Sequence, residues 1–169
     1  MNVKHLLLLP VLLAFSAGCN KPPVDTSEQD RADISMLEDN FIKAATSKDV
    51  NAIMAFYTPD ANMVVFDVTT PLQYTGADAY RKDWQDLFGT YPGPASFSIS
   101  NLDITTGGNI AYSHSIQHAT LTGKDGKPTT ITVRVTDGYK KVDGHWLIAH
   151  EHASIPVDFT TMKPDLNAK

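Results

Sequence analysis

The sequence has few cysteines, no basic clusters and no apolar run long enough to span a membrane. One cysteine among 169 residues cannot form a disulfide within its own chain, so a disulfide-stapled fold is excluded. The formal charge is −5, from 14 Lys and Arg against 19 Asp and Glu, which argues against a nucleic-acid binder that neutralises phosphates. Charged residues make up 20% and aromatic residues 9%, so wholesale disorder is not expected. This composition and length indicate an acidic globular protein of one domain.

Residues 1–18 have the layout of a secretory signal peptide. Lys4 is the only charge, an apolar segment extends from Leu6 to Ala17, and small residues end it. The apolar segment of roughly 12 residues is too short for a bilayer core, which needs about 20. We therefore predict that residues 1–18 are a signal peptide and that the mature protein leaves the cytoplasm.

The single cysteine follows this segment directly. Ser16-Ala17-Gly18-Cys19 resembles a bacterial lipobox, in which the cysteine is lipidated and becomes the first mature residue. This resemblance implies lipidation of Cys19, a membrane anchor through the N-terminal lipid, and a place in the bacterial cell envelope on the periplasmic side. Residues 19–29 hold two prolines and little apolar content, which is typical of a tether. An ordinary signal peptide followed by an unrelated cysteine is the alternative.

Residues 30–156 carry the pattern of one folded domain. Apolar residues at spacings of three and four predict a first helix, with the stripe Ile34, Leu37, Phe41 and Ala45. A short second helix and a third helix opened by Gly76 follow. After Pro94 the period changes to two, which predicts long strands, among them Ile110 to Thr122. Helices followed by antiparallel strands predict an α+β fold, with three N-terminal helices packed on a curved sheet, and residues 157–169 are expected to be an irregular tail.

One strand is predicted to contain a bulge. Phe97 and Ile99 occupy one parity of the alternating pattern, whereas Leu102 and Ile104 occupy the other. An extra residue in one strand produces this change of parity and bends the strand. We therefore expect a β-bulge near Asn101.

The last hairpin allows two registers. A two-residue turn pairs Val142 with His145, whereas a three-residue turn pairs Lys141 with His145. We favour the three-residue turn, because the two-residue type I′ turn needs an aspartate at positive φ. Arg134 then lies opposite His152, and both share one sheet face with Thr136 and His150. The sequence does not decide whether that face lines a cavity or a dimer interface.

The segment Asp143 to Ser154 (DGHWLIAHEHAS) resembles the last hairpin of SnoaL-like domains in the NTF2-like superfamily. Arg134 to Thr136, Tyr57 to Ala61 and Gly76 to Arg81 fit the same pattern in the same order, and the similarity spans roughly residues 30 to 156. The resemblance implies a cone-shaped α+β fold, usually dimeric, with a pocket between helices and sheet. It implies no single activity, because members include isomerases, cyclases, dehydratases, hydroxylating enzymes and association domains without catalysis.

Two relatives suggest particular site residues. Resemblance to ketosteroid isomerase makes Asp67 the candidate general base. Resemblance to the association domain of calmodulin-dependent protein kinase places Phe66, Asp67, Tyr80 and His114 at positions that correspond to its pocket. The same relative implies that the last strand faces the pocket with the residues that alternate with His150 and His152.

We expect one set of side chains to converge on the pocket: Tyr57, Asp67, Tyr80, Trp84, His114 and His118. Asp67 and His114 are the candidate catalytic pair for proton transfer. The candidate ligand-binding residues are Tyr57, Tyr80, Trp84, His118, Arg134 and His152. Histidines two or four apart on a strand can reach one metal ion, but hydrogen bonding or an interface is their commoner role, so we predict no metal and no cofactor.

The sequence leaves three functions open. We favour a lipid-anchored cell-envelope protein that binds a small, apolar or mixed ligand and has no nucleic-acid partner. The alternatives are an enzyme that uses His and Asp for proton transfer on a small apolar substrate, and a structural dimerisation module. A homodimer is expected through the outer sheet face, where Ser113, Ser115 and Gln117 would meet the partner.

Overall fold

The computed structural model describes residues 26–168, so the predicted signal peptide, Cys19 and most of the predicted tether lie outside the described residues. Its helices are α1 (Ser27–Ser47), α2 (Val50–Met54) and α3 (Ala77–Thr90). Its strands are β1 (Val64–Phe66), β2 (Tyr74–Thr75), β3 (Ala95–Gly107), β4 (Ile110–Thr122), β5 (Pro128–Val142), β6 (His145–Ser154), β7 (Val157–Asp158) and β8 (Lys163–Pro164). The predicted α+β class with three helices before the long strands is confirmed.

The first six strands form one sheet in the order β2-β1-β6-β5-β4-β3. All neighbours are antiparallel except β1 and β6, which run parallel. The helices cover one face, here called the inner face, and the opposite side is the outer face. Among residues 26–168 no helix has the length and hydropathy needed to cross a bilayer.

Local sequence signals set the ends of the first two helices. α1 starts three residues before the predicted domain boundary, with Thr26 at the N-cap, and the Thr26 hydroxyl donates to Asp30 Oδ2 at 2.7 Å. Lys48, at φ 58°, takes the left-handed conformation that commonly ends a helix. The Asp49 carboxylate then accepts from the Ala52 N–H at 3.0 Å and caps α2.

An aromatic cluster joins the helices above the inner face. The rings of Phe41 and Trp84 meet edge to face with centroids 5.9 Å apart, and those of Tyr57 and Tyr80 do so at 5.3 Å. All four side chains are buried. Such pairs favour this geometry because the positive ring edge meets the negative ring face. The cluster fixes α1 and α3 relative to each other and to the sheet.

The predicted bulge in β3 is present. Ser100 pairs with Ile116 and Asp103 pairs with His114, so two residues of β3 oppose one residue of β4. Asn101 has φ 53° and accommodates the left-handed conformation that few other residues accept. Because the bulge restores the inward parity after Asn101, the apolar residues on both sides of it face the core.

The favoured register of the last hairpin is wrong. Val142 pairs with His145, which is the two-residue turn, and Asp143 and Gly144 have φ values of 50° and 83°. Both therefore adopt the left-handed conformation that a type I′ turn requires. Aspartate tolerates this conformation because its short polar side chain can hydrogen-bond locally.

A second irregularity shifts the far end of the same strand pair. The register changes between Gly138 and Tyr139, so Arg134 lies opposite Ser154 and Thr136 lies opposite His152. The expected pairing of Arg134 with His152 is therefore wrong. The expectation that both residues share one face with Thr136 is confirmed, because the one-residue shift places even-numbered residues of β5 opposite even-numbered residues of β6.

The residues after Pro156 are more ordered than expected. β7 and β8 pair as a small two-stranded sheet. Beyond it, the Leu166 carbonyl accepts from the Thr132 N–H at 2.8 Å. This bond holds the tail against β5 and brings Leu166 to the edge of the inner face.

Candidate functional site

A cavity of about 390 Å³ lies between the inner face, α1 and α3. Its apolar wall includes Phe41, Trp84, Leu87, Phe97, Ala119, Leu121, Ile131, Val133, Val135, Ala153 and Leu166. Its polar lining includes Asp67, Tyr80, Asp83, Gln117 and Glu151. Small-molecule sites commonly have volumes of about 300 to 1,000 Å³ and a mostly apolar lining with few polar groups. The cavity therefore has the size and the composition of a binding site for a small molecule.

Glu151 on β6 is the most enclosed carboxyl group of the lining. Its Oε2 accepts a short hydrogen bond from the Tyr57 hydroxyl, and its Oε1 accepts from the Tyr80 hydroxyl at 2.9 Å. Burial raises the pKa of Glu151 to about 7, the nearby Asp67 adds to this rise, and the two tyrosines oppose it. Burial therefore moves the titration of Glu151 from the acidic range toward neutral pH.

Asp67 follows β1 and lines the same cavity. One carboxylate oxygen accepts from the Val68 N–H at 2.5 Å. Burial raises the pKa of Asp67 to about 6, and the charge of Asp83 adds to the rise. Asp83 in turn accepts from the Tyr74 hydroxyl at 2.6 Å. The prediction that Asp67 points inward is confirmed by this placement.

A second buried acidic network lies behind the cavity. The Tyr139 hydroxyl donates to Glu38 Oε1 at 2.6 Å and accepts from the Ser113 hydroxyl at 2.7 Å. Burial raises the pKa of Glu38 to about 7. Asp137 lies between Ser113 and Glu151 in the strand register, and burial raises its pKa well above the usual range. The interior thus holds three protonatable carboxyl groups beside Asp67.

The two histidines of β4 do not reach the cavity. His114 and His118 are exposed on the outer face, and His118 Nδ1 lies 3.0 Å from the Thr132 hydroxyl oxygen. The expected convergence of both histidines with Asp67 is wrong, because successive strand residues point to opposite faces. The residues of β4 that face inward are Ala111, Ser113, Ser115, Gln117, Ala119 and Leu121. Since Ser113 and Ser115 are buried and Gln117 lines the cavity, the expected role of these three residues in a dimer interface is also wrong.

Arg134 and His152 also lie on the outer face, where both are exposed. The Phe66 ring packs edge to face against His150 and His152, with centroids 5.2 and 5.6 Å away. The opposite parity of β6, with Glu151 and Ala153, lines the cavity, as the resemblance to the kinase association domain implied. Within residues 26–168, no group of three or more His, Cys, Asp or Glu is arranged to hold a metal ion.

Of the expected pocket set, Tyr57, Asp67, Tyr80 and Trp84 do come together. Asp67, Tyr80 and Trp84 line the cavity, and Tyr57 reaches it through its hydrogen bond to Glu151.

The sequence interpretation did not include Glu38, Asp137 or Glu151 among the candidate site residues. Each one carried a signal, since an acidic residue on an apolar stripe or an inward strand parity is costly unless it is hydrogen-bonded. Glu38 lies on the α1 stripe four residues after Ile34, and Asp137 shares its parity on β5 with Val135 and Tyr139.

A three-helix layer on a bent six-stranded sheet, with a cavity between them, defines an NTF2-like α+β protein. The chain belongs to the SnoaL-like domain family, whose model matches residues 34–158. No curated protein matches the chain at a significant level.

Solved structures share the same fold. An NTF2-like protein of unknown function from Pseudomonas putida KT2440 is 29% identical, with a TM-score of 0.76 over 85% of this chain and 98% of that chain. A nuclear transport factor 2 (NTF2-like) superfamily protein from Salmonella enterica serovar Typhimurium LT2 is 15% identical, with a TM-score of 0.71 over 78% of this chain and 94% of that one. A ketosteroid isomerase-like protein from Erwinia carotovora atroseptica SCRI1043 is 22% identical, with a TM-score of 0.62 over 73% of this chain and 93% of that chain.

Proposed function

We propose that this domain binds one small, largely apolar ligand in the cavity between helices and sheet. The observation that supports the proposal is the cavity itself, about 390 Å³ with a mostly apolar wall and a few carboxyl and hydroxyl groups. Protein interiors are packed about as densely as organic crystals. The side chains that line a cavity of this size therefore lack many van der Waals contacts when it is empty. A bound molecule restores those contacts.

A matched pair of variants tests this function. Ala119→Phe adds a ring to the cavity wall, whereas Thr120→Phe adds the same ring to the other face of β4. The full-length protein is purified from the membrane fraction and examined by native mass spectrometry. We expect a ligand mass on the wild type and on Thr120→Phe, and its loss on Ala119→Phe. A ligand retained equally by all three proteins contradicts binding in this cavity.

A second function is supported by two carboxyl groups in one lining. Asp67 and Glu151 have pKa values of about 6 and about 7, so one can accept and the other can donate a proton near neutral pH. In this proposal the proton-transfer pair is Asp67 and Glu151, and it replaces the expected pair of Asp67 and His114. Turnover of an enolisable apolar ketone that Asp67→Asn abolishes, with ligand binding retained, would favour the enzyme over the binding protein.

We also propose that the domain is anchored to the bacterial envelope by lipid on Cys19, facing the periplasm, and that it forms a homodimer. The Ser-Ala-Gly-Cys segment after a short apolar run supports the anchor. The uncovered outer face of the sheet supports the dimer, because three helices cover only the inner face.

A further inference from the structure

The lining of the cavity carries charge of one sign. Asp67, Asp83, Asp86 and Glu151 line it, and it contains no Lys, Arg or His among the residues that the structure describes. The ion pairs found in residues 26–168 join Lys82 to Asp86, Lys127 to Asp125, and Lys141 to Asp30. Asp67 and Glu151 therefore have no cationic partner within the described part of the chain.

The groups packed around this pair are acids or weak acids on every side. Asp83 and Tyr80 approach from α3, and Tyr57 from the turn after α2. Glu38 on α1 and Asp137 on β5 lie behind Glu151. Glu38 raises the pKa of Glu151, and Asp137 raises the pKa of Tyr57. A negative charge brought into the cavity is repelled by those carboxyl groups that are ionised, whereas a positive charge is attracted to them and favours their ionised forms.

Trp84 provides an independent sign of a ligand. Its side chain lines the cavity and is 8% exposed, and its indole Nε1 has no hydrogen-bond partner. An indole N–H is a donor only, and a buried donor without an acceptor is costly. The missing partner is an acceptor atom, which an oxygen of a bound molecule can supply.

We propose that the cavity takes a lipophilic amine that also carries an uncharged oxygen, with the ammonium group at Asp67 and Glu151 and the oxygen at Trp84 Nε1. The proposal rests on the proposed function, because it names the ligand class of the same cavity. The ammonium supplies the missing cation, and the rings of Tyr80 and Trp84 stabilise it further through cation–π contacts. The apolar wall holds the hydrocarbon part of the molecule.

Four probes of nearly equal size separate charge from shape. They are 4-phenylbutylamine, 3-phenoxypropylamine, 4-phenylbutanol and 4-phenylbutanoate, and their affinities for the full-length protein are measured by isothermal titration at pH 7.5. We expect the amines to bind about 10-fold or more tightly than the alcohol, because the ammonium makes charge-assisted hydrogen bonds. The carboxylate should bind weakest.

Variants assign the two contacts. Asp67→Asn should remove most of the preference for the amine over the alcohol. Asp103→Asn is the matched control, because Asp103 is exposed on the outer face opposite His114, and it should leave that preference unchanged. The ether oxygen should give 3-phenoxypropylamine a several-fold advantage over 4-phenylbutylamine in the wild type, and Trp84→Phe should abolish that advantage.

The pH dependence gives a further readout. A bound ammonium favours the charged forms of Asp67 and Glu151, so the affinity for the amine should rise as the pH increases from 5.5 to 7.5, whereas the affinity for the alcohol should not. Equal binding of amine and alcohol, or tighter binding of the carboxylate, overturns the proposed ligand class and leaves the proposed function standing. No saturable binding of any probe overturns both.

Discussion

Asp137 and Glu151 lie directly opposite each other on β5 and β6, two carboxyl groups facing the protein interior. They are 2% and 8% exposed. Burial, and then the neighbouring Glu151 and Glu38, raises the pKa of Asp137. No cation compensates them among the described residues, so burial disfavours the ionised form of Asp137 and opposes the ionisation of both groups together.

The first prediction is that the protein becomes less stable as the pH rises from about 5 to 8. Glu38 and Glu151 have folded pKa values of about 7, above their ordinary value of 4.5, so the folded state holds protons that the unfolded state has released. The contribution of each carboxyl group to the free energy of unfolding is fully present below the pKa of the unfolded state. It is lost, by on the order of 2–3 kcal/mol for each group, as the pH rises through the pKa of the folded state. Calorimetry at several pH values measures the unfolding temperature.

A substitution locates the source of this pH dependence. Glu38→Gln should flatten the decrease in the unfolding temperature, because the amide does not titrate. Glu28→Gln, at an exposed position on the same helix, should leave the decrease intact. An unfolding temperature that is constant or rises over this interval contradicts the assignment.

The second prediction concerns Lys141 and Asp30. Lys141 Nζ lies 2.5 Å from Asp30 Oδ1, and the Trp146 indole donates to the same oxygen at 3.2 Å. The Lys141 hydrogen bond lowers the pKa of Asp30, so this stabilisation is present above pH 3.8 and is lost as the pH falls. Lys141→Met leaves the carboxylate buried without its cation and should cost about 2–4 kcal/mol at pH 7, and less at pH 3. Chemical denaturation measures the free energy of unfolding at both pH values. Lys140→Met, at an exposed position, is the control, and its free energy of unfolding should stay near that of the wild type.

The third prediction is lipidation of Cys19. Mass spectrometry of the mature N-terminus should show a first residue Cys19 that carries acyl chains, and Cys19→Ala should move the domain from the membrane to the soluble fraction. Several acyl chains anchor a protein firmly, whereas one chain binds only marginally. An unmodified N-terminal peptide that starts elsewhere would rule out the lipoprotein.

The fourth prediction is a homodimer through the outer face. Ile116 lies on that face, half-buried, and Tyr112 on the same strand is 51% exposed. Light scattering on residues 20–169 should give the mass of two chains, and Ile116→Lys should reduce it to one. Leu72→Lys, on a loop and 90% exposed, should leave the dimer unchanged. A wild-type monomer at micromolar concentration counts against the dimer.

The fold was predictable because hydrophobic periods and turn residues agree along the chain. β4 begins and ends at Ile110 and Thr122, as predicted, because glycines bracket its alternating pattern. The bulge was predictable for the same reason, since Leu102 and Ile104 break the parity of Phe97 and Ile99. These signals are local, so the sequence alone is enough to locate them.

The site was less predictable because it depends on which face of each strand points inward. On β4 both parities mix small, polar and apolar residues, so nothing local indicates that Ser113 faces the core and His114 faces outward. On β5 the alternation is clear, with Val133, Val135 and Tyr139 on one parity. That pattern places Asp137 inside, but a buried acid becomes informative only once the neighbouring strand brings Glu151 beside it.

Leu166 lies beyond residues 34–158, which the family model matches. One backbone bond to Thr132 places this side chain in the wall of the cavity. The helices and the sheet must satisfy the demands of folding, and a change in them disturbs the whole core. The tail carries less of the core packing, so a substitution at Leu166 can reshape one part of the cavity wall while the helices and the sheet keep their contacts.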